Sequence, residues 1–146
     1  MEIHFTKRQF ETLMRLVYLG NWVVNGYRAE APDEETNALE NAVYSKARDF
    51  GLGRLVDFDE DLGQYFPSAA AEEEWDSALD DYRNDLFWDE LEYRMADRDL
   101  AARYGEDYVT TMKPRELDRL ERDIVDSYYE EFVKNGVKNL LVVRPS

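Results

Sequence analysis

The chain has 146 residues, of which 44% are hydrophobic and 14% aromatic, which is enough for a single domain, 1–146, with its own hydrophobic core. It has no cysteine, so disulfides, thiolate catalysis and cysteine-ligated zinc or iron–sulfur sites are excluded. Its net charge of −15 disfavours direct binding to the phosphates of nucleic acids and to anionic membranes.

The first predicted elements are a short strand and a long amphipathic helix. Glu2–Phe5 alternates polar and apolar residues, as a strand does. Thr6 and Gln9 have the spacing of a capping box, which predicts that a helix begins after Thr6. The apolar residues of this helix form a broad face that consists of Phe10, Leu13, Met14, Val17 and Val24, flanked by Leu16, Leu19 and Val23. So broad a face predicts a central helix that is covered on more than one side.

A second helix and a hairpin are predicted next. The helix runs from about Glu34 to Phe50, and Gly51 ends it. Its predicted inward side chains are Leu39, Val43, Ala47 and Phe50. From Leu55 to Phe66 the apolar period changes around an acidic turn that contains Gly63, which predicts a short β-hairpin.

The second half of the chain is predicted to be almost entirely helical. The predicted elements are helices at 69–83 and 86–104 with a break at Asn84-Asp85, a helical turn at 106–112, a helix with Pro114 in its first turn and Gly136 after its end, and a final strand at Leu140–Val143. We therefore predict an α+β, predominantly helical fold with about five helices. Its small antiparallel sheet would contain the N-terminal strand, the central hairpin and the C-terminal strand.

The sequence offers no catalytic, cofactor or metal-binding motif. Alternating carboxylates resemble the start of a calcium loop at Asp57, Asp59 and Asp61. The resemblance ends there, because Leu62 stands where the loop needs glycine and Ser68 where it needs glutamate. His4 is the only histidine, which rules out a histidine-pair metal site within the chain. We predict no catalytic residue, no cofactor and no metal.

Carboxylates at helical spacing leave an enzymatic alternative open. Glu72, Asp76 and Asp80 are four residues apart, and Asp89 and Glu92 are three apart, so each group lies on one helix face. Such a face could hold magnesium over a phosphate substrate. A segment this rich in Asp and Glu also produces these spacings by chance, and we interpret them as a solvated face.

Two asparagines interrupt the first predicted helix. Asn21 and Asn25 lie one turn apart among apolar residues, where a buried amide needs hydrogen-bond partners. They either line a ligand pocket, or cap a neighbouring loop, or face solvent near a helix end. Gly26, directly after Asn25, favours the last two alternatives.

The negative charge is concentrated in one part of the chain. Residues 57–92 contain 14 acidic residues and one basic residue, a net charge of −13, whereas the rest contains 19 acidic and 17 basic residues, net −2. Clustering destabilises a fold through self-repulsion, so solubility alone does not require it. We expect this segment to bind a basic protein partner. The predicted partner-binding residues are Trp75, Asp76, Asp80, Asp81, Trp88 and Asp89.

These observations predict a non-enzymatic protein-interaction or regulatory module. Two alternatives are a magnesium-dependent or small-ligand-pocket enzyme that uses the helix carboxylates, and a nucleic-acid mimic that inhibits a DNA- or RNA-binding protein. The longest nearly apolar stretch, 16–24, is far shorter than the roughly 20 residues that span a bilayer. The N-terminus lacks the layout of a signal peptide, so we expect an intact cytoplasmic chain. The sequence does not define an oligomeric state.

Overall fold

The computed structural model describes residues 2–142. Over this range the chain forms five α-helices and one two-stranded antiparallel sheet, with 72% helix. The elements are α1 (Lys7–Asn25), α2 (Glu34–Tyr44), β1 (Val56–Asp59), β2 (Gln64–Pro67), α3 (Ala69–Tyr104), α4 (Glu106–Thr111) and α5 (Pro114–Asn135), with short 3₁₀ turns at Gly53–Leu55 and Gly136–Asn139. The predicted fold class, α+β and predominantly helical, is confirmed.

Contacts between residues divide the chain into two compact units, Met1–Asp81 and Tyr82–Ser146. The first unit holds α1, α2, the hairpin and the beginning of α3. The second holds the rest of α3 together with α4 and α5. That the chain is a single domain stays a prediction.

The first helix begins where the capping-box spacing predicts. The Thr6 side chain accepts a hydrogen bond from the Gln9 N–H at 3.3 Å, and the Gln9 side chain accepts one from the Thr6 N–H at 2.9 Å. The buried side chains of α1, each one turn from the next, are Phe10, Met14 and Tyr18. Leu16 and Val23 are exposed. The buried stripe is therefore narrower than the sequence predicts.

The second helix ends at Tyr44 rather than at Phe50. Residues 45–51 continue as tighter turns, in which the Ala47 N–H donates to the Tyr44 carbonyl, three residues back, at 3.0 Å. Gly51 then takes a φ of +66°, and the Leu52 N–H donates back to the Ala47 carbonyl at 2.8 Å. Glycine adopts this left-handed conformation without strain. Gly51 therefore ends these turns, and the prediction that it ends the second helix is wrong, because α2 already ends at Tyr44.

The predicted hairpin is present. Its register pairs Val56 with Pro67 and Asp59 with Gln64. Phe58 and Tyr65 lie opposite each other with ring centroids 4.7 Å apart. Asp59 closes the turn, because its carboxylate accepts hydrogen bonds from the N–H groups of Asp61 and Leu62, each at 2.9 Å. Asp59, one of the three carboxylates that resemble the start of a calcium loop, therefore stabilises the turn.

The core of the first unit forms around Trp75, on the first part of α3. The Trp75 side chain is 2% exposed, and its ring centroid lies 5.5 Å from that of Tyr18 and 6.3 Å from that of Tyr44. The other members of this core are Phe10, Met14, Ala47, Leu52, Leu55, Val56 and Ala71. Leu39, predicted to point inward, is 60% exposed. The buried position of α2 is Tyr44 instead.

The third helix is continuous from Ala69 to Tyr104, so the predicted break at Asn84-Asp85 is wrong. Both residues are exposed. Asn and Asp each disfavour a helix by only about 0.7 kcal/mol relative to alanine, whereas the residues that stop a helix are glycine and proline. Neither occurs within α3. Gly105 follows its last residue, as predicted.

The second unit contains the predicted C-terminal helix, which begins at Pro114 and is followed by Gly136 with a φ of +56°. The buried apolar side chains of the second unit include Ala96 and Leu100 on α3 and Phe132 on α5. The Trp88 ring centroid lies 5.7 Å from that of Phe132. Aromatic contacts between α3 and α5 therefore contribute to the core of this unit.

A polar network also joins α3 and α5 within the second unit. The Tyr128 hydroxyl and the Arg98 guanidinium both donate hydrogen bonds to the Asp99 carboxylate. These bonds, with that from Tyr128 first, hold the pKa of Asp99 below its usual value.

We expect Asp99→Asn to lower the free energy of unfolding near pH 7 by less than about 1 kcal/mol, because the side chain is partly exposed. A carboxyl whose pKa is lower in the folded chain contributes stability above its unfolded pKa and loses it as pH falls through the folded pKa. The loss should therefore shrink as the pH is lowered from 7 to below about 4, the pKa of an aspartate in an unfolded chain. Urea denaturation at both pH values tests this, with Asp97→Asn as a control for charge. An equal loss at both pH values would contradict the assignment.

The two predicted terminal strands are not found within residues 2–142. Residues 2–6 and 140–142 form no strand, and the sheet consists of β1 and β2 alone over that range. Ile3 is 67% exposed and Val142 is 91% exposed. A strand is stable only when a neighbour pairs with its backbone, and alternation over four residues does not supply one. Val143, the last residue of the predicted C-terminal strand, lies outside the described residues.

Candidate functional site

The beginning of α3 carries a row of carboxylates that we call the acidic stripe, formed by Glu72, Glu73, Asp76, Asp80 and Asp81. Residues three and four apart in a helix lie on the same face, so these side chains form one surface. All except Asp76 are exposed. The chain has no lysine or arginine between Arg54 and Arg83. The stripe is therefore a negative surface in a stretch of sequence without basic residues.

Asp76 has a structural role in addition to its place in the stripe. It accepts a hydrogen bond from the Tyr18 hydroxyl at 2.6 Å, and that hydroxyl accepts one from the Trp22 indole N–H at 3.3 Å. Burial, followed by the bond to Asp76, raises the pKa of Tyr18. Substitution of Asp76 would therefore disturb the packing of α1 against α3 as well as the surface charge.

The structure separates the six predicted partner-binding residues into three groups. Asp76, Asp80 and Asp81 belong to the acidic stripe. Trp75 is buried in the core of the first unit and cannot contact a partner. Trp88 and Asp89 belong to the second unit. There, Trp88 is half-buried and Asp89 is exposed.

The first unit also contains a cavity of about 280 Å³ that we call the polar pocket. The residues that line it come from α1, α2, the end of β2 and α3, and they are Tyr18, Asn21, Trp22, Asn25, Gly26, Asn37, Glu40, Phe66, Pro67 and Glu72. It combines aromatic rings, side-chain amides and two carboxylates. No residue of this lining is basic.

Asn21 and Asn25 both line the polar pocket, and Asn25 also caps a neighbouring loop. Asn25 caps the loop after α1, because its amide oxygen accepts from the Asp33 N–H at 2.7 Å and its amide nitrogen donates to the Asp33 carbonyl at 3.2 Å. The same nitrogen donates to the amide oxygens of Asn21 at 2.7 Å and Asn37 at 3.0 Å. These mutual bonds fix the amides that line the polar pocket.

Glu40 is one of the two carboxylates that line the polar pocket. Its two carboxylate oxygens accept hydrogen bonds from the Tyr44 hydroxyl, at 2.9 Å, and from the Asn21 amide. Both donors are neutral. Burial raises the pKa of Glu40, and these two hydrogen bonds only partly oppose that shift. The carboxylate is thus half-buried beside neutral donors.

Sequence reasoning did not single out Glu40, Tyr18 or Trp22. A signal was present, because Asn37, Glu40 and Tyr44 follow one another at helical spacing on α2. Polar residues on the side of a helix that faces Asn21 and Asn25 would indicate a polar interface. Recognising it required knowing that α1 and α2 pack together, which they do.

Within the described residues, no three His, Asp or Glu side chains are grouped so that they could hold a metal ion. Over the same range, no helix combines the length and the apolar composition that crossing a membrane requires. No protein-family model, curated protein or solved structure matches the chain.

Proposed function

We propose that the protein is a non-enzymatic interaction module that binds a basic protein surface through the acidic stripe. The observation that carries the proposal is the exposure of Glu73, Asp80 and Asp81 on one helix face, in a stretch of sequence that has no lysine or arginine. Asp89 adds an exposed carboxylate in the second unit.

The arrangement favours binding over a purely solubilising role. Charge of either sign spread over the surface keeps small domains apart, but like charges on successive helical turns repel one another. A basic partner would relieve this repulsion and would be attracted over distances up to about 10 Å at moderate salt. We place this interaction in the cytoplasm, because a chain without cysteine forms no disulfide and so does not need an oxidising compartment.

The test compares two double variants that remove the same charges. Glu73→Gln with Asp81→Asn removes two of the five charges of the stripe without touching Asp76 or the lining of the polar pocket. We expect it to weaken capture of basic proteins from native cytosol by roughly threefold to tenfold at low salt. The parent should also lose these partners as salt rises from about 50 to about 300 mM.

The matched control is Glu30→Gln with Asp49→Asn, since both residues are exposed in the first unit and lie outside segment 57–92. It should retain the partners of the parent, and circular dichroism should show that all three proteins are equally folded. If both double variants lose the partners to the same degree, total charge rather than the stripe is responsible. Unchanged binding by the stripe variant would leave the stripe as a solvated face and overturn the proposal.

A further inference from the structure

We infer that the polar pocket binds a small organic cation, an ammonium or guanidinium group carried on a short apolar stem. This inference goes beyond the acidic stripe, because a cavity of this kind can bind its ligand whether or not the stripe has a protein partner. Four properties of the pocket support it, namely its charge, its aromatic walls, its preformed amides and its size.

The charge of the lining selects a cation. Glu40 and Glu72 both line the pocket, and no basic side chain does. The two hydrogen bonds that Glu40 accepts come from a hydroxyl and an amide, so its charge is solvated by neutral dipoles. Each carboxylate oxygen has a further lone pair for a charged donor. An anion would be repelled by the two carboxylates. A cation would instead stabilise the half-buried carboxylate of Glu40 by its opposite charge.

The aromatic residues of the lining suit an organic rather than a metal cation. Tyr18, Trp22 and Phe66 line the pocket beside the carboxylates. An ammonium or guanidinium group near the face of an aromatic ring is attracted by the ring quadrupole, most strongly by tryptophan. Phe66 and Pro67 offer apolar contact for the carbon stem. A divalent metal ion would instead need several oxygen ligands within about 2.6 Å, an arrangement that the described residues do not provide.

The amide network keeps the pocket preformed. Asn21, Asn25 and Asn37 are held by bonds to one another, and Asn25 is also held by the backbone of Asp33. A preformed site loses less conformational entropy on binding than a flexible one. The volume of about 280 Å³ lies at the lower limit for ligand pockets, which suits a group about the size of a lysine or arginine side chain.

The experiment uses the full chain and four probes with the same four-carbon stem, namely n-butylammonium, n-butylguanidinium, n-butanol and n-butyrate. The indole N–H signal of Trp22, assigned by its absence from Trp22→Phe, reports binding in two-dimensional NMR. We expect the two cations to shift this signal with dissociation constants of roughly 1–10 mM. Butanol should bind at least tenfold more weakly, and butyrate should cause no shift.

Two adjacent residues of α3 give a matched pair of variants. Glu72→Gln removes a charge from the lining, and Glu73→Gln removes the same charge from a neighbouring exposed position outside it. Glu72→Gln should weaken butylammonium binding several-fold, while Glu73→Gln should change it less than twofold. Glu40→Gln, with its fold checked by circular dichroism, should reduce binding by roughly tenfold or more.

A further pair of probes distinguishes the source of the cation. Cadaverine represents a free amine, and a lysine with blocked ends represents the side chain of a protein. Tighter binding of cadaverine assigns the pocket to free amines, and comparable binding assigns it to a side chain; both outcomes support a cation site. The inference is overturned if butanol binds as well as butylammonium, if Glu73→Gln acts like Glu72→Gln, or if neither cation shifts the signal at about 50 mM. None of these results depends on capture of a protein partner.

Discussion

Replacing Trp75 by alanine is expected to lower the free energy of unfolding of the first unit by about 3–5 kcal/mol. The side chain is 2% exposed and packs against the rings of Tyr18 and Tyr44. Its removal would leave a cavity between α1, α2 and the beginning of α3, because these elements cannot fully collapse around a smaller residue. Urea denaturation followed by near-ultraviolet circular dichroism measures the loss.

Two further variants keep this prediction testable if Trp75→Ala fails to fold. Trp75→Phe retains much of the ring volume and should lose only about 1–2 kcal/mol. Trp88→Ala removes a half-buried ring from the second unit and should have a smaller effect than Trp75→Ala. A Trp75→Ala protein of unchanged stability that had lost its partners would restore Trp75 as a binding residue and contradict its assignment to the core.

The second large effect concerns Gly26, which we expect to be intolerant of even a methyl group. An added Cβ would lie 2.3 Å from Cε3 of Trp22 and 2.5 Å from the Trp22 carbonyl oxygen. Both distances are too short for real contacts, so the Trp22 ring and the end of α1 must shift. Gly26→Ala should therefore destabilise the protein by about 1–3 kcal/mol. Because Trp22 and Gly26 both line the polar pocket, the indole N–H signal of Trp22 should move as well.

Gly20, on the same helix, is the control. A Cβ there meets nothing within 4 Å, and the residue is exposed within α1. Gly20→Ala should stabilise the protein by about 0.5–1 kcal/mol, because alanine loses less backbone entropy in a helix than glycine. Thermal unfolding distinguishes the two variants by the sign of the change. Destabilisation by both would indicate a general intolerance of α1 instead of a specific clash at Gly26.

Local signals in the sequence were sufficient wherever one side chain determines the backbone. Helix ends were predicted correctly at the Thr6–Gln9 capping box, at Pro114, and at the glycines 105 and 136. Each acts through its own hydrogen bonds or its own allowed φ and ψ. The hairpin was predicted for the same reason, since Gly63 and the Asp59 turn define it locally.

The errors arose where tertiary contacts or weak preferences decide. Asn84-Asp85 only weakly disfavours a helix, and the flanking residues continue it. The terminal segments alternate like strands, but alternation does not provide a pairing partner. Within α3, the apolar residues Ala71, Trp75 and Leu79 recur at intervals of four, a pattern that predicts that Trp75 faces the core. The dense carboxylates between these residues instead favour the interpretation of the segment as a surface.

The candidate sites differ in the same way. Spacing alone placed three carboxylates of the acidic stripe, Glu72, Asp76 and Asp80, on one helix face, because the helix period fixes it. The polar pocket required knowledge of how separate elements meet, since Glu40 and Glu72 lie 32 residues apart in the chain. The sequence shows that Asn21 and Asn25 are unusual in an apolar helix, but it does not show that Asn37 is their hydrogen-bond partner.

The acidic stripe has a practical consequence for handling the protein. No lysine occurs between Lys46 and Lys113, so the hairpin, α3 and α4 carry no side-chain amine. Reagents that couple through primary amines will attach a label or a solid support elsewhere and leave every carboxylate of the stripe unmodified. Carbodiimide activation does the opposite, because it reacts with exposed carboxylates, which are densest there. Immobilisation for binding measurements should therefore proceed through amines.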